Sequence, residues 1–243
     1  VAGEYSVSTV IPGVHLWQGV SDPYLYTMNV SILNADGQVL DSEDQQFGVR
    51  VFEIKDGKSY LNGEEYEIHG VGYHQDREGY GNAAGKAQKE DDVKLMLEMG
   101  VNAVRTAHYP HDQYVYELMD ENGLLVYNEI PYYLLLSKAE SYQSSVTEQL
   151  KEMIRQGYNH PSIVMWGMNN EVKASKEFAQ FGEDFDVDSE TLIAFNKKVA
   201  ELAQEEDKTR YIVQATIDNT TNAVDSAEWT KDGRVDYTGL NLY

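Results

Sequence analysis

The 243-residue chain contains no cysteine, which excludes disulfides and thiolate metal sites. A cysteine-free sequence suits the cytosol and a secreted protein alike, so the compartment stays open. Basic residues are few: 19 Lys and Arg stand against 41 Asp and Glu, a formal net charge of -22. A field of that sign repels phosphate backbones and anionic lipid, which argues against nucleic-acid and membrane partners. No apolar run reaches the roughly 18 residues that span a bilayer, and Val1 to Val10 lacks the basic start and apolar core of a signal peptide. No strand-like segment leads into G-x-G-x-x-G or a Walker sequence, which removes the usual nucleotide cradles. What is present, 42% hydrophobic and 25% charged residues, is the profile of a globular chain of one or two domains with a sizeable core.

Between Glu4 and Arg50 the apolar pattern has period two. Tyr24, Tyr26, Met28, Val30 and Ile32 alternate with Leu25, Thr27, Asn29 and Ser31, and Asn34-Ala35-Asp36-Gly37 supplies a turn before Val39 and Leu40. This predicts part of an antiparallel, immunoglobulin-like sandwich over 1–52. It is short of the roughly 100 residues of a whole one, so further strands are expected ahead of Val1. After Phe52 apolar strands alternate with amphipathic helices, the pattern of a parallel α/β sheet. Strands are predicted at 67–73, 103–107, 124–128, 163–168, 211–215 and 237–242. Helical faces are carried by Val93, Met96 and Leu97 before Gly100, by Val146, Leu150, Met153 and Ile154, and by Leu192, Phe195, Val199 and Leu202. Such stripes are read as core packing. A doubly wound sheet and a (β/α)8 barrel both fit the rhythm. The missing glycine-rich loops favour an incomplete (β/α)8 TIM barrel over 53–243, with about six of its eight strands.

In a barrel the C-terminal strand ends face one site. The groups at those ends are Tyr73-His74-Gln75-Asp76, His108-Tyr109, Asn128-Glu129, Asn169-Asn170-Glu171, and Asn241 with Tyr243. Carboxylates, histidines, amides and tyrosines together suit hydrolysis of a neutral polyol such as a sugar. Glycoside hydrolysis uses one carboxyl group to protonate the leaving oxygen. A second, about 5 to 5.5 Å away in retaining enzymes, attacks the anomeric carbon. Glu171 is the best proton donor, since it follows an apolar strand containing Trp166 and partial desolvation helps a carboxyl group keep its proton. Asn170 beside it can bind a sugar hydroxyl. Spacing alone weighs this evenly against a Glu171 that caps the next helix in solvent. His108, His111 and Asp112 can be drawn as a metal cluster, but the grouping lacks an established ligand frame, and neither a metal nor another cofactor is expected.

Asn159-His160-Pro161-Ser162 followed by Trp166-Gly167-Met168-Asn169-Asn170-Glu171 resembles the acid/base segment of glycoside hydrolase family 2, at the end of that family's fourth barrel strand. Leu61-Asn62-Gly63 with His69 to Arg77 resembles the first strand, Asn102 to Pro110 the second, and Asp120 to Pro131 the third. Trp17, Asp22 to Tyr26, and Phe47 to Arg50 resemble the immunoglobulin-like domain just ahead of the barrel. The resemblance runs along essentially the whole chain in the family's order.

That resemblance implies a retaining glycosidase acting on terminal β-galactosides, with β-glucuronidase as the runner-up. It implies Glu171 as general acid/base and Asn170 as ligand of the hydroxyl next to the anomeric carbon. His74 and His108 would contact substrate, Arg105 would orient the nucleophilic carboxylate, Tyr243 would hydrogen-bond it, and Glu129 would lie on the site floor. The plainer alternatives are core histidines at 74 and 108 and a structural ion pair at Glu129. The family nucleophile, a glutamate on strand seven, has no counterpart, because Glu129, Asp218 and Glu228 do not match its segment. The expected partners are thus a β-galactoside and the remainder of the polypeptide. The 243 residues alone are expected to be inactive, and a homo-oligomer is compatible with the sequence. Some relatives bind magnesium through Glu-x-His after the third strand. Here Glu129 is followed by Ile130-Pro131-Tyr132-Tyr133-Leu134-Leu135, so no such site is expected. Tyr73 and His69 also depart from the basic residues usual in the family. A reading from a different class, a non-catalytic carbohydrate-binding or scaffold module, is opposed by Glu171 and the paired histidines.

Overall fold

A computed structural model describes residues 6–174, 176–216 and 236–241. The period-two segment forms β1 (Tyr26–Leu33), which the turn returns as β2 (Val39–Phe47), antiparallel with Tyr26 opposite Phe47. Asn34 holds the turn through Oδ1, which accepts from the backbone N of Asp36 at 3.0 Å and of Gln38 at 2.9 Å.

The parallel pattern begins later than Phe52, a departure from the sequence reading. Residues after Phe52 first make a small antiparallel sheet of β3 (Phe52–Lys55), β4 (Lys58–Leu61) and β5 (Glu64–Glu65). Its two tight turns are Asp56-Gly57 and Asn62-Gly63, all four residues at positive φ. Asp-Gly and Asn-Gly are the dipeptides that take this conformation most readily, so a local signal for both hairpins was present.

From Gly70 onward strands and helices alternate. They are β6 (Gly70–Tyr73), α1 (Lys86–Glu98), β7 (Ala103–Thr106), α2 (Gln113–Asn122), β8 (Leu125–Glu129), α3 (Glu140–Gly157), β9 (Ile163–Asn170), α4 (Ser189–Glu206), β10 (Tyr211–Thr216) and β11 (Tyr237–Leu240). All six strands are parallel and lie side by side in chain order, the arrangement of a partial TIM barrel. Among the described residues β6 and β11 are the open edges. The apolar stripes at Val93, Leu150, Ile154, Phe195 and Val199 pack on the outer face of this sheet in one continuous core. The sequence reading did not assign α2. Asp112 caps its start by accepting from the Tyr114 backbone N at 2.9 Å, and Gly123 ends it in the left-handed conformation.

A second, smaller core lies around Trp17, which is fully buried with Phe52, Leu61, Leu125 and Val164. The Trp17 indole donates to the Asp120 carbonyl at 2.9 Å, and Asn62 donates to the Trp17 carbonyl at 3.0 Å. Arg50 reaches from the segment after β2 to the carbonyls of Pro161 at 2.9 Å and Ile163 at 2.5 Å. The Arg50 bonds join the segment after β2 to the start of β9, and the Trp17 indole ties the segment ahead of β1 to α2.

Candidate active site

Glu129 closes β8 and is wholly buried. Its Oε1 accepts from Arg105 Nε at 2.5 Å, and its Oε2 lies 2.8 Å from His108 Nδ1, so both oxygens are engaged. Arg105, on β7, spends its other two nitrogens on Asn170 Oδ1 at 2.7 Å and Asn241 Oδ1 at 2.8 Å. The planar fork of donors lets one guanidinium hold three strand ends at once. Gly167 on β9 makes room for this floor. A Cβ there would meet Tyr127 Cε2 at 2.5 Å and Glu129 Cγ at 2.6 Å.

Asn170 closes β9, and Glu171 follows in the left-handed conformation with φ 54°. For a residue with a Cβ that backbone costs of order 1–3 kcal/mol, a strain that surrounding contacts must hold. The Glu171 N donates to the Ala215 carbonyl at 2.8 Å, and its Oε1 accepts from Asn241 Nδ2 at 2.5 Å. Asn241 also donates to Asn170 Oδ1 at 2.9 Å. Glu171 is buried, and the turn Lys176–Phe181 starts well beyond it. Of the two readings left open by spacing, the solvated cap is therefore removed.

His74 follows β6, and its ring meets that of His108 edge to face, centroids 5.4 Å apart. Its Nδ1 lies 3.2 Å from the Tyr109 hydroxyl. His74, Arg105, His108, Glu129, Asn170 and Glu171 thus form one cluster at the C-terminal strand ends. Tyr243, and with it Asp218 and Glu228, lies outside the described residues. Glu129 is an ion-pair partner of Arg105, and that pair lies within this cluster.

Trp166 does not enter the site. It points to the outer face and donates its indole N–H to Asp207 Oδ2 at 2.9 Å. His108, His111 and Asp112 do not converge either. His108 turns to Glu129, His111 Nε2 lies 3.3 Å from the Ala107 carbonyl, and Asp112 pairs with Lys89 at 3.1 Å. Among the described residues no group of three such side chains could hold a metal ion. Burial pushes the His111 imidazole down to about 4. The sequence reading missed the roles of Asn241 and Gly167. Asn241 had a signal, a polar residue at a strand end, whereas the close approach at Gly167 depends on β8 lying beside β9.

A buried carboxyl group at a strand end, flanked by amides and facing two histidines across an ion-paired floor, can exchange a proton and hydrogen-bond a polyol. Set on a partial parallel barrel sheet, this constellation is compatible with the chemistry of glycoside hydrolases. Residues 52–232 match the model described as glycosyl hydrolases family 2, TIM barrel domain, and residues 2–50 match that described as glycosyl hydrolases family 2. The chain belongs to glycoside hydrolase family 2. It is 39% identical over 209 residues to a β-glucuronidase of Bacteroides fragilis, covering 83% of this chain and 28% of the relative. It is 38% identical over 168 residues to a β-galactosidase of Psychromonas ingrahamii, covering 66% of this chain and 16% of the relative. Among solved structures, it resembles Bacteroides uniformis β-glucuronidase 2 covalently bound to cyclophellitol-6-carboxylate aziridine. That match has a TM-score of 0.82 and 31% identity over 94% of this chain and 27% of the other. The chain therefore spans under a third of the length of these relatives.

Proposed function

We propose that the full-length protein hydrolyses terminal β-galactosides with retention of configuration, Glu171 acting as general acid and then general base. The observation that carries this reading is the setting of Glu171: buried at the end of β9, held by Asn241 and adjoining Asn170. A carboxyl group so held can protonate a leaving oxygen and later activate water from the same position. Asn170 would hydrogen-bond the sugar hydroxyl next to the anomeric carbon, and His74 and His108 would line the sugar. Glu129, with both oxygens occupied by Arg105 and His108, suits orientation of these groups better than attack on carbon. The attacking carboxylate is assigned to a part of the protein outside residues 1–243, as is completion of the barrel. The same reading divides the chain into a sandwich part over 1–52 and a barrel part over 53–243.

A second reading, hydrolysis of β-glucuronides, is favoured by the longer match to the Bacteroides fragilis β-glucuronidase than to the Psychromonas ingrahamii β-galactosidase. Aryl β-galactoside and aryl β-glucuronide assayed side by side on the full-length protein decide between them. NMR of the first-formed sugar should give the β-anomer. Release of the α-anomer would defeat the retaining mechanism whichever sugar is cleaved.

A further inference from the structure

The segment after β8 is stitched alongside the end of β9. The Asn170 N donates to the Tyr132 carbonyl at 2.9 Å and the Leu134 N to the Asn170 carbonyl at 3.0 Å, making Tyr133 and Asn170 partners in a parallel bridge. Bridge partners project to the same side, and successive residues of an extended segment project to opposite sides. The side of Asn170 is the barrel interior, because its Oδ1 is reached both by Arg105 from β7 and by Asn241 beyond β11. Tyr132 takes the opposite side. It is fully buried, its hydroxyl donates to Asn196 of α4 at 2.9 Å, and its ring meets Phe195 edge to face. Tyr133 therefore leaves the backbone toward the mouth of the site, beside the rim that carries Glu171.

Tyr133 is 50% exposed, yet its backbone is fastened on both sides. The Lys173 N donates to the Leu134 carbonyl at 3.2 Å, and the Tyr142 hydroxyl donates to the Leu135 carbonyl at 3.0 Å. A large ring on a backbone already held in place loses little freedom when a ligand settles on it, the condition for a stacking platform.

In the reaction read above, Glu171 protonates the leaving oxygen, so the departing group lies on the Glu171 side of the sugar. Tyr133 borders that side. We propose that Tyr133 is a specificity-determining residue, the platform on which the ring of the leaving group, an aryl group or a second sugar, stacks before bond cleavage. The inference rests on the glycosidase reading and extends it from the sugar that is cleaved to the group that is released. It predicts a preference for β-glycosides with a ring-shaped leaving group over small alkyl glycosides.

The test compares the full-length wild type with Tyr133→Ala and Tyr133→Trp on aryl and methyl β-glycosides of the sugar the protein hydrolyses. Tyr133→Ala should lower the aryl-to-methyl ratio of kcat/KM about 2- to 12-fold, the span expected for loss of one aromatic pair. Tyr133→Trp should keep or raise the ratio. A ratio that Tyr133→Ala leaves unchanged, or that Tyr133→Trp lowers as far as Tyr133→Ala does, overturns the platform while hydrolysis itself stands. A wild type that cleaves neither glycoside overturns the glycosidase reading and the platform with it.

Discussion

The Arg105 guanidinium lies 2.5 Å from Oε1 of Glu129, a carboxylate with no solvent exposure, and from there reaches two further strand ends. A buried ion pair adds little net stability, but removing one partner strands the other charge at a cost of roughly 3–5 kcal/mol. Arg105→Met should destabilise the fold by about the lower end of that range, since His108 still contacts the carboxylate. Glu129→Gln, which removes the stranded charge, should restore part of the loss when combined with it. Urea denaturation of the single and double variants measures this, and strictly additive losses would show that the two residues act independently.

Gly167 should tolerate no side chain. Alanine there drives a methyl group into Tyr127 and Glu129 at 2.5 and 2.6 Å. Overpacking of that kind typically costs about 1–3 kcal/mol. Because one of the two neighbours is the floor carboxylate, activity should fall more than stability does. Thermal melting with parallel assay checks this, and a variant as active as wild type would mean that the floor shifts freely.

Glu171→Gln should remove general acid catalysis, on the order of 10²- to 10⁴-fold, from substrates with poor leaving groups. Substrates whose leaving group departs without a proton should lose least. Rates across a series of aryl glycosides give the comparison. A uniform loss along the series would take the acid role away from Glu171.

His111 should make the fold acid-sensitive. Its imidazole is buried with Nδ1 unpartnered, and its folded-state value of about 4 lies below the unfolded value of about 6.5. The unfolded chain therefore takes up the proton first. The contribution of neutral His111 is whole above pH of about 6.5, shrinks as pH falls, and is gone below about 4. His111→Gln should have a thermal midpoint that falls less steeply than wild type over that window. Carboxylates titrate alike in both proteins, so parallel curves would show that His111 is not the sensitive group.

The strand positions were legible because side-chain period and turn chemistry are local. Ile163, Val164 and the residues after them read as a buried strand, and β9 forms there. α2 was passed over although Val115, Tyr116, Leu118 and Met119 form a buried face at helical spacing and Asp112 and Gly123 mark its ends. The hairpins at Asp56-Gly57 and Asn62-Gly63 were passed over in favour of the α/β rhythm that starts only at Gly70. At the site, the apolar strand that contains Trp166 was legible, but the outward direction of its indole, toward Asp207, was not. Period two within a strand separates the two faces without saying which one is the interior.

By itself the sequence determined the order of the six parallel strands and which polar side chains stand at their ends. Those are properties of short segments and need no partner. Only the tertiary structure decided how the ends are joined. Arg105 meets Glu129 across 24 residues and Asn241 across 136, and Asn241 arrives over Glu171 from 70 residues away. Hydrogen bonds between such distant residues depend on strand order, register and the curvature of the sheet. Those are set by packing the whole barrel, which no local pattern specifies.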